Sequence, residues 1–126
     1  MNNYKYPFEK FEVWQNIRKL TIEIYQITKK FPKHELFGMT NQIRRSAISV
    51  SSNIAEGSGR PSRKDQAHFT TMAYSSLLEL TNQLILSSDL AFITKNELKN
   101  IRVQINHISS QLNLLRNYQY SQEQKK

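Results

Sequence analysis

The chain contains no cysteine. Disulfides, thiol nucleophiles, thiolate zinc sites and iron–sulfur clusters are therefore excluded. Glycine and proline are scarce, three of each in 126 residues. Carboxylates are few as well: 10 Asp and Glu stand against 18 Lys and Arg, a formal net charge of +8. A field of that sign favours polyanions, nucleic acid or an acidic partner, although it also serves solubility alone. No long apolar run exists, since Leu84–Ile93 is broken by Ser87, Ser88 and Asp89, so no membrane span is expected. No charged-then-apolar leader pattern opens the chain either, and a cytoplasmic location is expected.

What is present is helical periodicity, four times over, with no strand alternation. Val13, Ile17, Leu20, Ile24, Ile27 and Phe31 recur at steps of three and four until Pro32. Leu36, Met39, Ile43, Ala47, Val50 and Ile54 form a second stripe that ends at Gly57. Phe69, Ala73, Leu77, Leu80, Leu84 and Ala91 form a third, and Leu98, Ile101, Ile105, Ile108, Leu112 and Leu115 a fourth. Ser62 with Asp65 and Thr94 with Glu97 read as capping boxes. Gly57 suits the left-handed residue after a helix end. The joints, near 31–34, 57–61 and 90–95, are short, which makes successive helices antiparallel neighbours. The expectation is an all-α, antiparallel up-down-up-down four-helix bundle over 11–118, with loose segments at 1–10 and 119–126.

Some apolar positions exceed what one bundle core needs. Thr71, Leu78, Ile85 and Phe92 lie seven apart, off the third stripe, and Ile22 and Tyr25 lie off the first. A second apolar seam has to be covered, either by a widened core or, the preferred reading, by another subunit. The second segment is instead rich in small residues, Ser46, Ala47, Ser49, Ser51 and Ser52, level with Ser75 and Ser76 on the antiparallel third helix. Small side chains let two backbones approach. At the same level Arg44 or Arg45 is within reach of Glu79, as a register-fixing pair or as two solvated charges.

Catalytic patterns are missing. Gly57-Ser58-Gly59 follows a helix, not a strand, and no Lys-Ser/Thr pair follows, so neither a P-loop nor a dinucleotide fingerprint fits. Asp65-x-x-His68 has no second copy, and His34 and His107 stand alone, so no metal site is expected. No nucleophile elbow accompanies the serines. Glu56, in the last turn of its helix, opposes the helix dipole; it reads as a corner tie, with Asn53 one turn earlier and Arg60 across the corner, more readily than as a lone catalytic acid. No cofactor is expected.

Cations gather at two places. Arg60, Arg63 and Lys64 surround the start of the third helix, whose free amides favour a phosphate. Lys29, Lys30 and Lys33 at the first joint share the opposite end of the bundle with Lys95, Lys99 and Arg102 at the third. The nearby aromatics Phe31, Phe37, Phe69 and Phe92 fit core positions better than base-stacking platforms.

Several of these residues carry a family likeness. Gln42-Ile43-Arg44-Arg45-Ser46-Ala47, Ser49-Val50 and Ser52-Asn53-Ile54-Ala55-Glu56-Gly57, followed by Arg60 and by Ala73 with Ser76-Leu77-Leu78-Glu79-Leu80, resemble the signature of a four-helix-bundle family. That family is named for proteins encoded within intervening sequences of bacterial 23S ribosomal RNA genes. Phe11 through Tyr25, with Trp14, resembles its first helix, and Phe31-Pro32-Lys33-His34-Glu35 its first joint. Ser51 and Ser75 depart from the proline and glycine common there. The resemblance implies a cytoplasmic bacterial bundle that assembles as a ring-like homopentamer, with no catalytic residues. A similar bundle is the accessory protein of diversity-generating retroelements, where a basic pentamer engages nucleic acid and a reverse transcriptase. The combined expectation is a non-enzymatic, oligomeric protein that binds RNA or DNA through its charge. The alternative is a scaffold that docks an unidentified protein partner.

Overall fold

The computed structural model describes residues 4–124. Four helices make the bundle: α1 (Glu12–Thr28), α2 (Asn41–Ser58), α3 (Arg63–Asp89) and α4 (Lys95–Gln124). No strand occurs among the described residues. Successive helices pack side by side, α4 closes against α1, and α1 and α3 sit at opposite corners. The core is the set of stripes read from the periodicity: Ile17, Leu20 and Ile24, then Ile43, Ala47 and Val50, then Ala73, Leu77, Leu80 and Leu84, then Ile101, Ile105, Ile108 and Leu112. Their spacing puts each stripe on one face, and burying it is the main stabilising term.

Polar pairs set the register between neighbouring helices. Ser49 and Ser76 hydroxyls meet at 2.8 Å where α2 and α3 approach through their small residues. Thr70 donates to Gln119 Oε1 at 2.7 Å, a buried bond between α3 and α4. Asn16 donates to Gln111 at 2.9 Å between α1 and α4.

Local structure departs from expectation at three places within the bundle. The second helix does not begin at Leu36. A 3₁₀ turn (Lys33–Glu35) and a π-type turn (Leu36–Thr40) precede α2, and Gly38 interrupts the turn at φ −107°, ψ −115°. Leu36 and Phe37 are therefore exposed instead of joining the stripe. Gly57 is not left-handed: it is buried inside α2, which runs on to Ser58. A Cβ there would lie 2.6 Å from Phe69 Cβ, so glycine is required by the close approach of α3. The left-handed position falls on Ala91, at φ 63°, which leaves Ala91 exposed. It closes a Schellman motif, in which Phe92 N–H donates to Ser87 O at 2.8 Å and Ala91 N–H to Ser88 O at 3.0 Å.

The ends are also more structured than expected. Pro7–Lys10 form a 3₁₀ turn, and the Phe8 ring meets Trp14 edge-on at 5.1 Å. The helix expected to stop at 118 continues, with Gln119 buried. The expectation of loose ends at Met1–Asn3 and Lys125–Lys126 lies outside the described residues.

Candidate nucleic-acid interface

At the end of the bundle shared by the first and third joints, the Phe31 and Phe92 rings meet at 5.4 Å and close the core. The Thr94–Glu97 box forms in full: Glu97 N–H donates to Thr94 Oγ1 and Thr94 N–H to Glu97 Oε1, both at 3.0 Å. Glu97 also takes Lys30 Nζ at 2.7 Å, tying α4 to the end of α1. The Lys30 ammonium, followed by the Thr94 amide, holds the Glu97 carboxyl below its ordinary value. Lys30 is thus neutralised in place. Lys29, Lys33, Lys95, Lys99 and Arg102 are exposed, and none has a carboxylate partner among the described residues. Lys95, Lys99 and Arg102 stand one turn apart on α4 around an open hollow of about 470 Å³ that also exposes Val103.

The corner between α2 and α3 uses its arginines differently. Arg60 pairs with Glu56 at 3.4 Å, and its guanidinium lies 4.6 Å from the centre of the Phe69 ring. Gln66 Nε2 donates to Arg60 O at 2.8 Å. Arg63 donates to Gln66 Oε1 at 3.1 Å and lies over Tyr118. Ser62 Oγ caps α3 through the Asp65 amide at 3.0 Å. Both arginines of the expected phosphate cradle therefore hold the corner itself, while Lys64 is exposed beside them. Asn53 takes no part in the corner. Its amide donates back to Ser49 O at 2.9 Å and Ser49 Oγ at 3.2 Å, steadying the hydroxyl that meets Ser76.

Of the two readings of Arg44, Arg45 and Glu79, the Arg–Glu pair between α2 and α3 does not form. Arg44 turns to α1, donating to Thr28 Oγ1 at 2.9 Å and lying 4.6 Å from the centre of the Tyr25 ring. Arg45 and Glu79 line one open hollow between α2 and α3, of about 500 Å³, without pairing to each other. Gln42, Ser46 and Ser49 share that lining, so much of the sequence signature gathers on one surface. Phe37 stands at its edge, 90% exposed. Phe37 thus does not take the core position expected of the aromatics near the basic clusters. The available signal was the Leu36-Phe37-Gly38 run, since a helix cannot turn two adjacent residues onto one stripe.

The residues expected to form a subunit interface divide. Leu78 and Ile22 are each 55% exposed, Ile85 and Tyr25 are half-buried, and Tyr25 is covered by Arg44. Phe92 leaves the seam altogether, because the left-handed turn at Ala91 swings it onto Phe31. The seam flank of α3 faces α4, where Thr71 accepts from Arg116 at 3.5 Å. The hollow lies on the other flank, where α3 meets α2.

No helix among the described residues is long and apolar enough to cross a membrane, and no group of three metal-ligating side chains assembles there. Among curated proteins nothing matches the chain. Among solved structures it is similar to a protein of unknown function from the S23 ribosomal protein family of Bacteroides thetaiotaomicron VPI-5482. The two are 25% identical with a TM-score of 0.73, over 79% of this chain and 94% of that one. The 23S rRNA-intervening sequence protein family matches residues 9–114. With α1, α2, α3, most of α4 and the small-residue contact inside that span, the chain belongs to the 23S rRNA-intervening sequence protein family.

Proposed function

We propose that this protein is a non-enzymatic accessory protein that binds nucleic acid by its charge and works as a self-associated ring. The observation that carries the reading is the set of five exposed cations at the joint end, Lys29, Lys33, Lys95, Lys99 and Arg102, which have no carboxylate partner among the described residues. Cations already held by carboxylates add little to phosphate binding, whereas unpaired ones release condensed counterions from the polyanion. Self-association is supported by Ile22 and Leu78, which are exposed on helices at opposite corners. Two different patches facing opposite ways suit a head-to-tail contact, the kind that closes rings.

A titration of structured RNA, duplex DNA and single-stranded DNA at low and near-physiological salt tests this. Lys95→Ala/Lys99→Ala/Arg102→Ala is expected to weaken binding at least tenfold. Each lost phosphate contact should flatten the dependence of log K on log salt by about 0.7–0.9. Arg60→Ala/Arg63→Ala should lower thermal stability more than affinity. Binding that exists only at low salt, and is indifferent to the α4 triple change, would refute the reading and leave the charge as a solubility feature.

A further inference from the structure

The hollow between α2 and α3 combines groups that neither packing nor the charge-based reading accounts for. Phe37 is the most exposed large apolar side chain of the described residues, held out by the kink at Gly38. An aromatic left in water costs free energy that nothing within the bundle recovers. Arg45 and Glu79 share the hollow with it yet do not pair, so the Arg45 donor fork is not taken up by that carboxylate, and Glu79 faces the hollow with no cation paired to it. Glu79 is held from the side by Gln83 Nε2 at 3.3 Å, and the other atom of that amide, Gln83 Oε1, is buried without a partner. Asn41 and Gln42 add amides to the same lining. The volume, about 500 Å³, falls within the roughly 300–1,000 Å³ span of small-ligand sites.

We infer that this hollow takes one unpaired nucleobase, and that the base is guanine. The inference rests on the nucleic-acid reading above and narrows its ligand to single strands. An exposed aromatic beside a cationic surface is the stacking platform of single-strand binders, because every base offers a π-face. Guanine presents two neighbouring acceptors, O6 and N7, which match a guanidinium fork. It also presents two neighbouring donors, N1–H and N2–H, which match a carboxylate. Cytosine has two neighbouring acceptors but a single donor group, adenine has one donor group, and uracil has one donor, so only guanine meets both the Arg45 fork and the Glu79 carboxylate with two bonds each. In a duplex the donor pair is engaged by cytosine, which confines the site to loops, bulges and free ends.

The test compares three labelled RNAs by fluorescence anisotropy at near-physiological salt: an oligouridine, the same oligomer with one central guanosine, and a duplex of equal length. The guanosine oligomer should bind about tenfold more tightly than the oligouridine. Phe37→Ala should remove most of the gain on single strands and leave the duplex unchanged, while Phe37→Trp should retain it. Glu79→Gln should abolish the guanosine preference with little effect on the oligouridine. Phe37 is exposed, so its variants are expected to melt like the parent, which thermal denaturation checks. Equal binding of both oligomers, or indifference to Phe37→Ala and Glu79→Gln while Lys95→Ala/Lys99→Ala/Arg102→Ala still weakens binding, overturns the guanine site and leaves the electrostatic reading standing. Failure of the parent protein to bind any of the three overturns both.

Discussion

Replacing Gly57 by alanine should destabilise the protein, although helix propensity alone predicts the reverse. Gly57 lies inside α2 with ordinary helical backbone, and in such a position alanine is worth roughly 0.5–1 kcal/mol more than glycine. The added Cβ would lie 2.6 Å from Phe69 Cβ and 3.5 Å from both Phe69 Cγ and Gln66 O. The nearest atom is one bond from the α3 backbone, so a rotamer change cannot move it aside. The start of α3 has to shift, and with it the Gln66 bond to Arg60 O and the Arg60 contact with Phe69. Overpacking of this kind costs about 1–3 kcal/mol, and a contact anchored to the backbone belongs at the upper end. Against the propensity gain the net loss is about 2 kcal/mol, a fall in Tm of roughly 6–8 °C for a chain of this size. Thermal denaturation by circular dichroism reads it directly. Phe69→Ala should not rescue Gly57→Ala, because alanine keeps the Cβ that clashes. Gly59→Ala is the control: its Cβ would meet only Glu56 O, at 3.6 Å, at a residue with φ −90°, and Tm should hardly change. A Tm for Gly57→Ala at or above that of the parent would refute the close-approach argument. Tolerance of Gly57→Asn beside a damaging Gly57→Ala would refute it differently, by pointing to a left-handed residue.

Ala91 carries the opposite expectation. A left-handed alanine costs about 1 kcal/mol, so Ala91→Gly should raise Tm by about 2–4 °C, less the entropy glycine adds to the unfolded chain, as measured in the same melts. At the joint end, Glu97 is held below its ordinary value of 4.5, so its bonds to Lys30 and Thr94 contribute stability above that pH. The contribution disappears as pH falls through the lowered value, where the carboxyl protonates in the folded state. The Tm gap between the parent and Glu97→Gln should be present at neutral pH and close in that acidic window; a gap that widens on acidification would contradict the pairing.

The helices were legible because their signals are local. The core stripes at Ile17–Leu20–Ile24 and Ile101–Ile105–Ile108 follow from a period of 3.6, and the Thr94–Glu97 box needs only three residues of separation. Ser62, as the cap of α3, was legible for the same reason. The cationic surface was legible only as a count. Lys30 and Lys33 are alike in sequence, and what separates them is Glu97, 67 residues from Lys30 along the chain. Arg60 and Arg63 look available to phosphate until Glu56, Phe69, Gln66 and Tyr118 close around them.

By itself the sequence determined four amphipathic helices, the residues of their common core, the excess of positive charge and the family signature around Asn53-Ile54-Ala55-Glu56-Gly57. Each depends on periodicity, composition or short spacing. The tertiary structure decided which glycine is needed and why, since the need at Gly57 comes from the distance to another helix and not from its own backbone. It decided that the left-handed residue is Ala91, which turns Phe92 inward, and that Phe37 turns outward at the Gly38 kink. It also decided which cations and carboxylates remain unpaired. Interhelical distance and charge pairing depend on residues far apart in the chain, and no local pattern encodes them.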